Sequence, residues 1–201
     1  MPSVIDTYGT IHPRDRKEWR MWLKENHDRS PGIWIVYFKK ASGKQGLSPE
    51  EAVEEALCFG WIDSQAGSVD GERYRQVFSP RRKRSNWSSI NKQRAERLIE
   101  QGLMTPAGMA KIKEAKADGS WDGLKEIDDL VVPEDLAQVL LAEPEAERCF
   151  HSLSAAKRKQ LLWYLKSAKR AETRGRRIAE IVRLAIDGGS AADLSGRKKE
   201  S

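Results

Sequence analysis

The chain has 201 residues, 39% of them hydrophobic and 33% charged, with seven Trp, two Cys and a formal net charge of +6. That length suits one domain, or a domain with a smaller appendage, and buries roughly two thirds of the unfolded surface. No apolar run approaches the ~18 residues of a membrane helix. The N-terminus also lacks the basic and apolar regions of a secretory signal, so the expected compartment is the cytoplasm, with Cys58 and Cys149 as reduced thiols.

Pro13 to about Asn26 reads as a short helix with Trp19, Trp22 and Leu23 on one side. Ile33-Trp34-Ile35-Val36-Tyr37-Phe38 is β-branched and aromatic throughout, which predicts a strand covered on both faces. Ser48-Pro49-Glu50-Glu51 forms a capping box with Pro at the first helical position, opening a helix that buries Ala52, Val53, Ala56 and Leu57. Tyr74, Gln76 and Phe78 alternate with Arg73, Arg75 and Val77, as in a strand with one face in water. Ser85 or Asn86 is the expected cap of a helix running past Leu98 to Gly102, and Thr105-Pro106 opens another that Gly119 stops. Further strands are expected within residues 1–12 and 62–72.

Beyond Trp121 the pattern becomes helical, after a linker-like Asp128-Asp129-Leu130-Val131-Val132-Pro133. Pro133 and Pro144 each start a short helix. Ser154 caps a longer one with Leu161, Leu162 and Leu165 inside, and Ile178, Ile181, Val182 and Ala185 mark the last. The expected fold is therefore α+β: a small antiparallel sheet with packed helices over 1–127, an all-helical region over 128–188 and a disordered tail over 189–201.

Charge is segregated along the chain. Arg81, Arg82, Lys83, Arg84, Lys92, Arg94 and Arg97 face only Glu96 in residues 81–97, and residues 154–177 are similarly basic. Between these blocks lies an acidic stretch. Cys58, near the C-terminal end of its helix, is disfavoured as a thiolate by the helix dipole and reads as a packed core thiol. Trp61 and Asp63, just past Gly60, offer a stacking plate and a carboxylate, with Asp63 capping a turn or pairing with Arg81 as the structural alternative. Arg81, Ser85, Trp87 and Ser88 combine cations, hydroxyls and an aromatic face before a helix N-terminus, a combination that favours anions. Trp61, Asp63, Arg81, Ser85, Trp87 and Ser88 thus form a candidate anion site. Lys169, Arg170, Arg174, Arg176 and Arg177 form a candidate interaction surface. No phosphate-cradling Gly-rich loop, His-Glu-x-x-His, Cys-x-x-Cys or Gly-x-Ser-x-Gly is present, so no cofactor, metal or catalytic residue is expected.

The run from Glu51 to Ser64, with Ala56-Leu57-Cys58-Phe59-Gly60-Trp61-Ile62-Asp63 at its centre, resembles the signature of the YdeI/OmpD-associated family. Phe78-Ser79-Pro80-Arg81, Ser85-Asn86-Trp87-Ser88 and Gly102-Leu103-Met104 add to it. Trp163-Tyr164-Leu165 through Arg177-Ile178 is similar to that family's helical bacteriocin-protection segment. The resemblance implies a YjbR/CyaY-like N-terminal part, a helical C-terminal region, and a role in tolerance of bacteriocins or antimicrobial peptides and in stress response. It supplies no catalytic residues. The reading that follows is a non-catalytic stress-protection or binding protein. The alternatives are a small-anion-binding protein or enzyme using a Trp61/Asp63/Arg81 pocket, and a nucleic-acid-binding protein acting through the basic blocks. The sequence names no partner, though an acidic protein or a small anion would suit its charge.

Overall fold

A computed structural model of the chain describes residues 4–187. The chain divides into two compact units, Met1–Gly123 and Leu124–Ser201. The 189–201 stretch, expected to be a disordered tail, lies outside the described residues.

In the first unit, helix α1 (Arg16–Asn26) starts at Asp15, whose carboxylate accepts from the Glu18 N–H. Helix α2 (Pro49–Cys58) carries the predicted capping box, with the Ser48 hydroxyl accepting from the Glu51 N–H and the Glu51 carboxylate accepting from Ser48. Four strands, β1 (Gly9–Ile11), β2 (Ile33–Phe38), β3 (Trp61–Ser68) and β4 (Arg73–Pro80), form one sheet in the order β1-β2-β4-β3. The β2–β4 and β4–β3 pairs are antiparallel, with Ile33 opposite Phe78 and Trp61 opposite Pro80. β1 joins β2 in parallel, so the sheet is mixed rather than wholly antiparallel, within an α+β fold.

One face of β2, bearing Ile33, Ile35 and Tyr37, joins Phe78 and Trp61 in a core with Trp19, Leu23, Ala52, Ala56 and Leu57. Trp19 stacks on Trp22 at 5.3 Å and meets the Phe78 ring edge-on at 5.6 Å. The expectation that the other face of β4 meets water fails at Val77, which is buried along with Trp34 and Val36. The physical reason lies in the N-terminal segment: the Trp34 indole N–H donates to the Ile5 carbonyl at 2.9 Å, and β1 extends the sheet beside β2. Arg75 covers the Trp34 ring at 4.1 Å, a cation–π contact that shields the indole while leaving the guanidinium polar.

Helix α3 (Ser89–Glu100) begins later than expected, because Ser88 rather than Ser85 or Asn86 accepts from the Asn91 N–H as its cap. Helix α4 (Pro106–Ala117) is capped by Thr105, whose N–H and hydroxyl also donate to the Cys58 carbonyl. The end of α2 is thereby tied to the start of α4.

The second unit holds α5 (Lys125–Asp128), α6 (Glu134–Ala142), α7 (Pro144–Ser152), α8 (Ala155–Lys166) and α9 (Ala171–Ile186). Its own core gathers Leu136, Leu140, Phe150, Leu161, Leu165 and Ile181. The α8 and α9 stripes predicted from helical spacing are buried there. Among the described residues, no helix is long and apolar enough to cross a membrane.

Candidate functional site

The site of interest forms where β4 leaves the sheet. Gly60 adopts a left-handed φ of 74°, which a side chain would strain, and its carbonyl accepts from the Arg81 N–H at 2.9 Å. This bond fixes Arg81 directly after Pro80. The chain then turns through Arg84, a non-glycine residue at φ 57° whose N–H donates to Asp118 at 3.0 Å. Trp87 returns toward α4, its N–H donating to the Ser120 carbonyl and its ring lying 4.9 Å from that of Trp121.

Inside this loop the Arg81 guanidinium lies 3.8 Å from the Trp87 ring centroid, and only 4% of Arg81 is exposed. Its Nη1 donates weakly to Ser85 Oγ at 3.4 Å and to the Asn86 carbonyl at 3.3 Å. Its Nε is buried with no hydrogen-bond partner. Burial pushes the guanidinium down to about 10, against the opposing pull of the Asp63 charge, and it therefore stays protonated at neutral pH. A small depression of about 10 Å³ is lined by Arg81, Ser85, Trp87, Lys111 and Ser120.

A larger cleft of about 500 Å³ shares Arg82, Arg84 and Ser85 with that depression. Tyr8, Ser64, Ser79 and Lys83 also line it, above an apolar floor that includes Ile62 and Val77. Among the described residues that line the cleft, none is a carboxylate. Lys83 meets Glu114 only at 3.9 Å, with its side chain largely exposed. Such a surface attracts negative charge and can direct it through hydroxyls and arginines.

The predicted site residues divide between this place and others. Arg81, Ser85 and Trp87 come together as described. Trp61 does not join them: it is 1% exposed in the core, and its indole N–H donates to the His27 carbonyl at 3.0 Å. Asp63 lies in β3, within the 62–72 stretch expected to hold a strand, opposite Phe78, and accepts from Gln76 Nε2 at 2.8 Å. Asp63 forms no ion pair with Arg81, although its charge is felt there. Ser88 is occupied as the α3 cap. Lys111 and Ser120 were missed, since they arrive from α4 and the turn after it. Only the Gly119-Ser120-Trp121 turn could have pointed to them.

On the basic helix, Arg174 is bidentate to Asp135 at 2.5 and 2.8 Å, and holds that carboxyl below its usual range. Arg177 donates to the Tyr164 carbonyl and the Ser167 hydroxyl and lies 4.2 Å over the Tyr164 ring. These two arginines serve the fold of their own unit, whereas Lys169, Arg170 and Arg176 are exposed. Cys58 is fully buried, and burial raises its thiol pKa, with Glu55 adding to the shift and Arg20 opposing it. It is a core thiol in a poor position to be a nucleophile. Among the described residues, no group of three His, Cys, Asp or Glu is placed to hold a metal ion.

Residues 11–111 match a family model described as a domain of unknown function, DUF8412, which covers half of the chain. The chain belongs to the DUF8412 family. The Cys58–Asp63 and Phe78–Arg81 runs lie within that match, so this N-terminal part carries the DUF8412 family rather than support for a YjbR/CyaY-like class. Residues 129–188 match a second model, described as "Bacteriocin-protection, YdeI or OmpD-Associated". The YdeI/OmpD-associated resemblance therefore holds for the C-terminal region. No curated protein and no solved structure matches the chain.

Proposed function

We propose that this DUF8412-family chain is a protection factor that works by binding rather than by turnover, in the cytoplasm, in the tolerance of bacteriocins or antimicrobial peptides. The observation that carries the reading is the match of residues 129–188 to the bacteriocin-protection model. The burial of Cys58, the obvious nucleophile in the sequence, is consistent with it. The test is a gene deletion challenged with bacteriocins and with membrane-active cationic peptides. Survival is expected to fall and to return when the full chain is supplied. Unchanged sensitivity across both classes of agent overturns the proposal.

A second reading is favoured by one observation, the carboxylate-free cleft bearing Arg82, Lys83 and Arg84. Its volume is in the range of small-molecule sites, roughly 300–1,000 Å³. The ligand would be a small molecule carrying a phosphate or carboxylate, with the anion at the arginines and its apolar part over Val77. A thermal-shift panel of phosphorylated and carboxylated metabolites is expected to give stabilisation that an Arg82→Glu/Arg84→Glu double variant loses. No stabilisation by any member counts against it. Tight nucleic-acid binding that falls steeply with salt from ~50 mM upward would instead assign the basic loop to a polyanion.

A further inference from the structure

The cleft beside the basic loop has an aromatic wall as well as a cationic one. Tyr8 stands just before β1, half-buried, and lines the cleft. Its ring is seated against Gly32, the residue before β2: a Cβ on Gly32 would stand 2.2, 2.6 and 2.7 Å from three carbons of that ring. Only a glycine leaves the ring that place. Trp34, the neighbouring aromatic on this face of the sheet, is 3% exposed beneath Arg75 and is closed to a ligand. Tyr8 is therefore the flat surface the cleft offers.

Sheet register sets the distance from that ring to the cations. Gly9 pairs with Ile33, Ile33 with Phe78, and Ile62 with Ser79, so Tyr8, Gly32, Ser79 and Ile62 form one row across the sheet. Neighbouring strands lie about 4.8 Å apart, which puts β4 roughly 10 Å from β1. Just past that row, β4 runs through Pro80 into Arg82, Lys83 and Arg84. A ring and an anionic group separated by one sugar span such a gap.

The cations are available. Neither Arg82 nor Arg84 forms a salt bridge with a described residue, and Lys83 meets Glu114 only at 3.9 Å. Neither Asp6 nor Asp118 lines the cleft. Asp118 faces the neighbouring depression, where its oxygens take the Arg84 and Ser120 N–H groups. Arg84 is held at φ 57°, a conformation uncommon for a residue with a side chain, and strain of this kind gathers at ligand clamps.

We propose that this cleft binds a free nucleotide, its phosphate at Arg82 and Arg84 and its base on Tyr8. The Ser64 and Ser79 hydroxyls serve the sugar, and Ile5 and Ile62 shield the base from water. Every base has a π-face, so Tyr8 holds the base without choosing among bases. The inference rests on the reading of the cleft as a small-anion site and adds the aromatic half of the ligand.

Calorimetric titration of the full chain with adenosine 5′-monophosphate and with ribose 5-phosphate separates the two ideas. The mononucleotide is expected to bind about tenfold tighter, the contribution of one stacked base. Tyr8→Leu is expected to erase that advantage and leave the ribose 5-phosphate affinity in place, whereas Arg82→Glu/Arg84→Glu loses both ligands. In the parent chain, nuclear Overhauser contacts are expected between the base protons and the Tyr8 ring, a readout independent of how the variants fold. Equal affinities for the two probes overturn the nucleotide assignment and leave the anion cleft standing, while no binding of either overturns both. Base contacts that bypass Tyr8 also overturn it. So does binding of a single-stranded oligonucleotide with none of the mononucleotide, which would assign the surface to a polynucleotide.

Discussion

Glu55, 2% exposed, lies between two guanidinium groups, one carboxylate oxygen 2.5 Å from Arg16 Nε and the other 2.5 Å from Arg20 Nη1. Arg16 also reaches Glu54, and Arg20 reaches the Leu103 carbonyl. Glu55→Ala therefore leaves two arginines facing a void at the α1–α2 contact. Because each arginine keeps about a third of its side chain in water, rehydration softens the loss, and we expect a cost of about 3 kcal/mol in urea unfolding. Cys58 and Cys149 give a second prediction at this scale. A disulfide-exchanging thiol reagent is expected to modify the half-buried Cys149 in the native chain and to reach the buried Cys58 only on unfolding. Equal rates at both positions would contradict the packing described for α2. The anion-site residues were legible in the sequence only where chemistry and proximity coincided. Arg81, Ser85 and Trp87 stand within one short run of basic, hydroxyl and aromatic residues. Ser120 contributes through a backbone bond to Trp87, and a long-range pairing of that kind leaves no mark on local composition.

Helix α2 is held by particular residues at both ends, and each end can be tested. At its start, the Ser48 N–H and hydroxyl lower the Glu51 carboxyl below its ordinary range. Ser48→Ala is expected to cost about 1 kcal/mol. A carboxyl whose pKa is depressed by folding contributes stability above its unfolded pKa and loses it as pH falls through the folded value. The penalty of Ser48→Ala should therefore be full at pH 7 and shrink below about pH 4. At its other end, a methyl group at Gly108 would stand 2.4 Å from the Cys58 carbonyl oxygen, which is backbone and cannot swing aside. Gly108→Ala is expected to cost about 2–3 kcal/mol by forcing α4 off α2. Denaturant midpoints measure both effects. The Ser48 cap and the Ile33–Phe38 strand were legible because their signals are local: a hydroxyl three residues before a carboxylate, and six consecutive apolar residues. The partners of Asp63 were hidden for the opposite reason. A strand was expected within residues 62–72, but its register, Trp61 with Pro80 and Asp63 with Phe78, is fixed by long-range pairing. The burial of Val77 was likewise hidden, because its cover comes from the N-terminal segment, which carries no strong strand pattern.

At the scale of the whole chain, the two units have separate cores and separate family matches, one centred on Trp19, Trp61 and Phe78 and the other on Leu136, Phe150 and Leu161. The described part of the second unit, residues 124–187, is short for a domain without disulfides, and its apolar core is correspondingly small. The aromatic residues provide a way to watch the units separately. Of the seven Trp, only Trp163 belongs to the second unit, and it is 47% exposed. Tryptophan fluorescence therefore reports unfolding of Met1–Gly123 almost alone, whereas helical circular dichroism reports both units, since α5 to α9 all lie in the second. For a chain that unfolds as one cooperative body, the two signals follow a single urea curve. Here the dichroism transition is expected to begin at lower urea than the fluorescence transition, with a smaller denaturant slope in its first phase, because fewer residues expose surface. Trp163→Phe should leave the fluorescence midpoint in place. Coincident curves from both probes would show that the two units unfold as one body, despite their separate cores.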